Sequence, residues 1–221
     1  MDKIKAVIFD FDNTLGDRFR YSYDTYRHLL TTYLSDIDEN SILFEAMLQD
    51  LVIYDQYGTV SDKNYILEQF ERKYKRHIPI DNFGKWWVDN QYKFTVLFPD
   101  TAETVKALSK KYKLGVITNG YHDAQWGKLN RSGLLEYFDH CIVSGDVGIH
   151  KPDPRIFTMM AEKLELDPSE CVYVGDIFSS DVLGASQAGM VPIWIWPSET
   201  SKPSDYKVIR ISKLSDLLGI L

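Results

Sequence analysis

Five short apolar runs, separated by segments of helical period, most constrain how this chain can fold. Each run has three to five residues, is mostly β-branched or otherwise apolar, and is too short for a helix, which predicts a buried strand. Strands that are apolar throughout and alternate with helices are typical of a parallel sheet covered on both faces. We therefore predict an α/β fold, a doubly wound, Rossmann-like parallel sheet. The runs are residues 6–9, 114–117, 141–143, 171–174 and 191–195.

The segments around the later runs carry helix start and stop signals. Asp100 is a suitable N-cap for one helix, and Gly133 and Gly189 are suitable residues just beyond the ends of two others. Pro192 cannot donate a backbone hydrogen bond, so it predicts an edge position for the last strand. The four predicted helices are the one after Asp100 and those at residues 123–132, 155–164 and 181–188.

The stretch from residue 18 to residue 92 interrupts the alternation of strands and helices. Its aromatic and apolar residues recur at helical spacing, for example at Tyr23 and Tyr26. This pattern predicts a helical module inserted after the first strand. The sequence thus predicts a Rossmann-like sheet domain made of residues 1–17 and 93–221, and an inserted α-helical domain made of residues 18–92.

The charge and hydropathy of the chain exclude some classes of partner. A formal net charge of −7 opposes binding to a nucleic-acid polymer. No apolar run approaches the roughly 20 residues that a membrane-spanning helix needs, and the first residues lack the pattern of a signal peptide. We expect a cytoplasmic protein with no nucleic-acid or membrane partner. The same charge would repel a small phosphorylated metabolite, so a phosphate site needs its own positive charge or metal ion.

Polar residues follow four of the five predicted strands. Ligands bind at the carboxyl ends of the strands in an open parallel sheet, where strand order reverses. A single Asp at a strand end is usually a turn residue or a helix cap, but such residues at four strand ends have no common structural cause. They are Asp10 and Asp12 after the first strand, Thr118 and Asn119 at the second, Lys151 after the third, and Asp176 and Asp181 after the fourth.

The residue types at these strand ends suit phosphoryl transfer. Asp10 and Asp12 would share one face of an extended segment and repel each other, a conflict that a divalent cation resolves. Mg²⁺ prefers oxygen ligands, and Asp176 is the natural third one. A carboxylate nucleophile needs the charge of its substrate neutralised, which Mg²⁺ and Lys151 can do. Thr118 supplies a neutral donor, and Asp12 can protonate the leaving oxygen and then deprotonate water.

These segments resemble the four motifs of the haloacid dehalogenase-like hydrolase superfamily. Their order and spacing match across essentially the whole chain, and the match in four parts is far more specific than any single part. The first motif reads Asp10-Phe11-Asp12-Asn13-Thr14-Leu15, the second Thr118-Asn119, the third Lys151-Pro152, and the fourth Gly175-Asp176 with Asp181 five residues on.

The resemblance implies a role for each motif residue. Asp10 would be the nucleophile and a ligand of Mg²⁺, and Asp12 would be the acid and base, with its backbone carbonyl on the metal. Asp176 would bind Mg²⁺, and Asp181 would support the metal site or the lysine. The phosphoryl group would be held by Thr118, Asn119 and Lys151. The inserted helical domain would be the mobile cap of the family, which implies that substrate choice lies there.

The run from residue 117 to residue 139 also resembles one branch of the superfamily, which holds bacterial nucleoside 5′-monophosphate phosphatases and sugar-phosphate phosphatases. Gln125 and Lys128 are part of that run. Three alternatives stay open: a sugar-phosphate mutase that shields its aspartyl-phosphate from water, a dehalogenase, which needs neither Asp12 nor Asp176, and a non-catalytic binding module. The sequence favours a magnesium-dependent phosphatase that hydrolyses small phosphate monoesters, nucleotide or sugar phosphates, through an aspartyl-phosphate.

Overall fold

The chain divides into two compact units. A computed structural model describes residues 3–60, 62–195 and 208–221. The first unit, here the sheet unit, combines Met1–Asp17 with Leu97–Leu221, and the second, here the helical unit, is the continuous segment Arg18–Val96. Among the described residues, no helix is both long enough and apolar enough to cross a membrane.

Six parallel strands form one sheet in the described part of the sheet unit. Their order is β3-β2-β1-β4-β5-β6, numbered along the chain, so strand order reverses beside β1. The carboxyl ends of β1 and its neighbours therefore open onto the crevice where such sheets bind ligands. The strands are β1 Ala6–Phe9, β2 Lys113–Thr118, β3 His140–Val143, β4 Cys171–Gly175, β5 Val191–Ile195 and β6 Ile209–Ile211.

Helices connect the strands and make up the inserted segment. The helical unit contains α1 Arg18–Tyr33, α2 Ile42–Tyr54, α3 Asn64–Tyr74 and α4 Phe83–Asn90. The sheet unit contains α5 Thr101–Leu108, α6 His122–Ser132, α7 Ser144–Val147, α8 Pro154–Lys163 and α9 Leu183–Gln187. Short 3-10 helices span Gln56–Gly58, Gln91–Phe94, Leu135–Tyr137, Pro168–Glu170 and Leu214–Gly219, and one π-helical turn spans Phe178–Val182.

Alternate side chains of the strands pack into two apolar layers, one on each face of the sheet. On β1, Val7 and Phe9 join the layer that also holds buried residues of α5 and α6. Ala6 and Ile8 join the other layer, with buried residues of α8 and α9 such as Phe157. Because a strand presents successive side chains to opposite faces, this pattern covers both faces with helices. The predicted doubly wound α/β fold is confirmed.

The far edge of the sheet differs from the prediction. The strand that contains Pro192 is not at the edge, because β6 pairs with it on the outer side. That pairing covers only Ile193–Ile195, so Pro192 lies before the paired segment on that side. The missing N–H of proline is therefore tolerated in an interior strand, and the prediction of an edge position was wrong.

The starts of two predicted helices differ in detail from what their sequence indicates. Asp100 occupies the N-cap position of α5 as predicted, but its carboxylate accepts a hydrogen bond from the backbone N–H of Ser215 at 2.8 Å instead of bonding to the helix. The helix predicted at residues 181–188 starts earlier, as the π-helical turn Phe178–Val182, and continues as α9. π-helical turns are rare in proteins, and those that do occur often lie at functional sites.

The helical unit has an apolar core of its own. The unit itself extends to Val96, beyond the boundary predicted at residue 92. The 3-10 turn Gln91–Phe94 follows α4 directly, and it places the centre of the Phe94 ring 5.5 Å from that of the His28 ring on α1. Leu97 then forms an isolated bridge with Gly16 of the sheet unit. The buried core includes Tyr26, Leu29, Leu30, Phe44, Leu48, Leu51, Phe70, Phe83 and Trp87.

Candidate active site

Three carboxylates meet at the carboxyl edge of the sheet. Asp10 directly follows β1, Asp176 directly follows β4, and Asp181 lies in the π-helical turn beyond it. One carboxylate oxygen from each lies within 4.8 Å of the others. These three residues, the acidic cluster from here on, sit at the point where the strand order reverses.

Lys151 is the cation of this cluster. Its Nζ donates hydrogen bonds to Asp10 Oδ1 at 2.7 Å, to Asp181 Oδ1 at 2.7 Å and to the Tyr173 hydroxyl at 2.9 Å. Lys151 and both of these carboxylates are buried. A lysine is rarely buried unless it is paired, and three short contacts hold this one in a single position.

The cluster carries more negative than positive charge. Burial raises the pKa of Asp10 to about 7, against the opposing charge of Lys151. Burial, followed by the charges of Asp10 and Asp181, raises the pKa of Asp176 to about 8. Burial alone would lower the pKa of Lys151, but the charges of Asp10 and Asp181 outweigh it and raise that pKa. Lys151 therefore stays protonated, and the carboxylates remain incompletely neutralised.

Asp181 is fixed by contacts to both of its oxygens. Oδ1 accepts from Lys151, and Oδ2 accepts from the backbone N–H of Ile177 at 2.9 Å. Gly175 makes room for this side chain, since a Cβ there would lie 2.4 Å from the Asp181 carboxyl carbon. With both oxygens engaged, Asp181 is placed to orient Lys151 and the loop after β4.

Asp176 is held differently from Asp181. Its backbone carbonyl accepts a hydrogen bond from Trp194 Nε1 at 2.8 Å, and the Asn13 side chain hydrogen-bonds its carboxylate. Its Oδ1 is buried and has no hydrogen-bond partner among the described residues. A buried carboxylate oxygen without a donor is costly unless a ligand satisfies it.

Asp12 is not one of the three carboxylates of the acidic cluster. Both of its carboxylate oxygens accept from Lys128 Nζ, at 2.9 and 2.8 Å, and Oδ2 also accepts from Gln125 Nε2 at 3.3 Å. From the sequence, a divalent cation shared by Asp10 and Asp12 was expected to offset the charge of Asp12. In the structure, Lys128 offsets that charge. The charge of Asp12 still contributes to raising the pKa of Asp10.

Thr118 and Asn119, at the end of β2, make different contacts within the site. The Thr118 hydroxyl accepts a hydrogen bond from Gln125 Nε2. The Asn119 side chain is occupied by the backbone of Lys151, donating to its carbonyl at 3.0 Å and accepting from its N–H at 2.9 Å. Asn119 therefore fixes the segment that carries Lys151, and any phosphate contact from Asn119 would come from its backbone.

Three buried polar residues of the site were missing from the predicted set. Gln125 and Lys128 lie one turn apart on α6, and Tyr173 lies within β4 with its hydroxyl against Lys151. The sequence does contain a signal for the first two, because they are polar at a spacing of three on a helix face that also buries Ala124 and Leu129. Tyr173 reads only as an apolar strand residue.

The acidic cluster fits a divalent cation. Among the described residues, it offers the carboxylate oxygens that Mg²⁺ prefers, has three carboxylates against the one lysine that contacts them, and includes Asp176 Oδ1, which has no hydrogen-bond partner there. The predicted contribution of the Asp12 backbone carbonyl stays a prediction.

A doubly wound sheet with an acidic cluster and a buried lysine where the strand order reverses is the core of a Rossmann-like enzyme. The family model of haloacid dehalogenase-like hydrolases matches residues 7–195, and the chain belongs to that family. The predicted superfamily is confirmed.

Relatives with curated names are similar over nearly the whole chain. A glyceraldehyde 3-phosphate phosphatase of Methanothermobacter thermautotrophicus is 32% identical, over 99% of this chain and 100% of its own. The pyrimidine 5′-nucleotidase YjjG of Escherichia coli is 26% identical, over 96% of both chains. The hydrolase YfnB of Bacillus subtilis has the same fold, with a TM-score of 0.76 and 21% identity over 98% of both chains. Family and relatives identify a phosphoric monoester hydrolase, the predicted class of enzyme.

Proposed function

We propose that this protein is a magnesium-dependent phosphatase that hydrolyses small phosphate monoesters through an aspartyl-phosphate on Asp10. The observation that carries the proposal is the position of Asp10, buried at the strand-order reversal, bonded to Lys151 and surrounded by surplus carboxylate charge. A carboxylate can attack phosphorus only where the charge of the phosphate is neutralised. The phosphatase names of the relatives in the same family support this chemistry.

Asp10, Asp176 and the backbone carbonyl of Asp12 would hold Mg²⁺, with Asp181 in support. When bound, the ion supplies positive charge that lets an anionic phosphate approach an anionic nucleophile. The unpartnered Asp176 Oδ1 and the raised pKa values of Asp10 and Asp176 support this assignment. The role of Asp181 rests on its contacts to Lys151 and Ile177, which occupy both of its oxygens.

The reaction has two steps, both at phosphorus. In the first, a carboxylate oxygen of Asp10 forms a bond to phosphorus while the bond to the ester oxygen breaks, and Asp12 gives a proton to that leaving oxygen. In the second, water attacks phosphorus, Asp12 takes the proton, and the bond to Asp10 breaks to release phosphate. Throughout, Lys151 and the Thr118 hydroxyl stabilise the charge on the other phosphoryl oxygens.

The helical unit would be the cap that selects the substrate. The named relatives act on phosphorylated metabolites of different kinds, a triose phosphate and a pyrimidine nucleotide. What these molecules share is a small size and a phosphate monoester, and we assign this chain the same class of substrate. Proteins that share the core and differ in substrate need selectivity from elsewhere, because function resides in the site and its surroundings rather than in the fold.

The test is turnover of 4-nitrophenyl phosphate with Mg²⁺ by the wild type and by two matched variants. Asp10→Asn removes the nucleophile and should lower kcat by about 10⁴-fold or more. Asp123→Asn makes the same change at an exposed position in the first turn of α6 and should leave kcat unchanged. Chelation of Mg²⁺ should silence the wild type. Undiminished activity of Asp10→Asn would refute the assignment of the nucleophile, and a sugar phosphate isomerised faster than it is hydrolysed would indicate a mutase.

A further inference from the structure

One face of α6 places two polar side chains into the sheet unit beside the active site. Gln125 and Lys128 are 2% and 3% exposed, and their spacing of three puts them on the same side of the helix. Buried lysine and glutamine residues are uncommon unless their polar atoms have partners. The partners of this pair are Asp12 and the end of β2.

Gln125 connects the acid and base residue to the phosphate-binding strand end. Its Nε2 lies within hydrogen-bonding distance of three oxygens, those of Thr118 Oγ1, the Asn119 carbonyl at 2.9 Å and Asp12 Oδ2 at 3.3 Å. The Asn119 carbonyl and the Asp12 carboxylate fix the orientation of the amide, because the reversed orientation would place Oε1 against these two acceptors. Since Thr118 Oγ1 accepts this bond, its own proton is left to point at another acceptor.

The backbone beside Thr118 is shaped to admit Gln125. Gly120 has a φ of +150°, and a Cβ at this position would lie 2.8 Å from Gln125 Cγ. A larger residue after Thr118-Asn119 would therefore push the amide away from the threonine hydroxyl. Gly120 therefore leaves the space that the Gln125 side chain on α6 occupies.

Lys128 holds Asp12 in one orientation. Its Nζ donates to both carboxylate oxygens of Asp12, in a salt bridge in which the lysine side chain is 4% exposed. Charge-assisted bonds of this length are stronger than neutral ones. They keep the Asp12 carboxylate away from the acidic cluster, although Asp12 is only two residues from Asp10.

We infer that Gln125 and Lys128 are positioning residues with separate tasks. Gln125 aims the Thr118 hydroxyl proton at a phosphoryl oxygen, and Lys128 keeps Asp12 where the leaving oxygen needs its proton. The inference rests on the proposed function, and it adds two residues on α6 to the catalytic apparatus of the sheet unit. The inference requires that variants at the two positions lose different properties. Gln125 variants should bind phosphate more weakly, whereas Lys128 variants should deliver the proton to the leaving oxygen less well.

The experiment compares two aryl phosphates of similar shape. The leaving group of 4-nitrophenyl phosphate is stable as an anion, whereas that of 4-methylphenyl phosphate needs a proton. Lys128→Met should lower kcat/KM by about 100-fold for the methylphenyl ester, the scale of a misplaced catalytic group, and by less than about 10-fold for the nitrophenyl ester. Lys128→Gln, which retains one donor toward Asp12, should show the same bias to a smaller degree.

Gln125→Glu tests the other task. A carboxylate at this position would accept the Thr118 proton instead of leaving it for the phosphate, so KM for both esters and the dissociation constant of inorganic phosphate should rise by about 10-fold or more. The ratio of the two kcat/KM values should change much less than in Lys128→Met, because the contact of Gln125 with Asp12, at 3.3 Å, is the longest of its three. Exposed residues of the same helix supply controls: Asn130→Asp adds the same charge, and Arg131→Met removes a cation as Lys128→Met does.

Separate signatures for the two positions would support the inference. Equal losses for both esters in the Lys128 variants, or unchanged phosphate binding in Gln125→Glu, would overturn it. Thermal unfolding identifies variants that lose activity through instability, and if Lys128→Met does not fold, the ratio of the two esters in Lys128→Gln decides the question. Failure of the proposed function looks different, because Asp10→Asn would then stay active or the wild type would hydrolyse neither ester.

Discussion

Each of the two units buries an ion cluster, and the two clusters have opposite charge balances. In the sheet unit, Lys151 is the one cation that contacts the acidic cluster among the described residues, and it bonds two of the three carboxylates, those of Asp10 and Asp181. In the helical unit, Asp55 alone accepts from two cations, Arg18 at 2.6 Å and Lys63 at 2.7 Å, with its side chain only 2% exposed. Counted by the formal charges of these named residues alone, the first group has an excess of two negative charges and the second an excess of one positive charge.

The comparison separates a site built for a ligand from a site built for the fold. A buried carboxylate paired with two cations is satisfied within the protein, and it ties α1 to the end of α2 and to the segment before α3. Surplus buried carboxylates raise one another's pKa and cost stability, a cost that persists where function requires the charge. The acidic cluster is therefore the place where a divalent cation gains the most.

Of the substitutions that test the difference between the two ion clusters, the one at Asp176 should have the largest effect on activity. Asp176→Asn removes one of the proposed metal ligands and should lower kcat by about 10³-fold. In chelator its melting temperature should equal or exceed that of the wild type, because a buried charge without sufficient compensation is gone. Activity assays and thermal unfolding with and without Mg²⁺ measure both effects. A variant that is much less stable in chelator would show that Asp176 is structural, as Asp55 is.

Asp55→Asn should do the reverse. It removes the negative charge that Arg18 and Lys63 both contact, and breaking a buried pair from one side costs about 3–5 kcal/mol. Chemical denaturation measures this loss in free energy of unfolding. Asp24→Asn, at the exposed partner of Arg20, should cost about 1 kcal/mol or less. Equal losses for the two variants would remove the distinction between a structural and a surface pair.

A smaller effect is expected in the pH dependence of stability. In the native chain without metal, the pKa values of Asp10 and Asp176 are raised from 3.8 to about 7 and about 8. Between these limits the folded state holds protons that the unfolded state has released, so the free energy of unfolding should fall as pH rises from about 4 to 8. Saturating Mg²⁺, which binds the ionised carboxylates, should weaken or reverse that slope. Denaturation at several pH values, in chelator and in Mg²⁺, gives both slopes.

The sequence was sufficient where local patterns carry the information. Buried strands of a doubly wound sheet are apolar throughout, so the candidate residues Asp10, Thr118 and Asp176 could be located at or directly after strand ends, and Lys151 in the segment that follows β3. The structure brings Asp10, Lys151 and Asp176 together with Asp181 around one cluster. The chemical roles of these residues remain predictions.

The sequence was insufficient where long-range pairing decides. Lys128 and Asp12 are separated by 116 positions in the sequence, and no local sequence pattern predicts their contact. The three-residue strand Ile209–Ile211 contains a charged residue, Arg210, so it is not an apolar run, and missing it led to the wrong edge assignment for Pro192. Helical period likewise does not show the 3-10 turn Gln91–Phe94 that follows α4, so the predicted boundary at residue 92 lies within this turn, whereas the compact unit runs to Val96.

The most direct test of the central claim is to find the phosphoryl group on Asp10. The Asp12→Asn variant is mixed with 4-nitrophenyl phosphate and Mg²⁺, quenched in acid, digested and analysed by mass spectrometry. Attack by Asp10 needs no proton when the leaving group is stable as an anion, whereas the water of the second step needs a base, so the phosphoenzyme should accumulate and the phosphoryl group should lie on the peptide that contains Asp10. A phosphoryl group on another residue, or none during sustained turnover, would contradict the account.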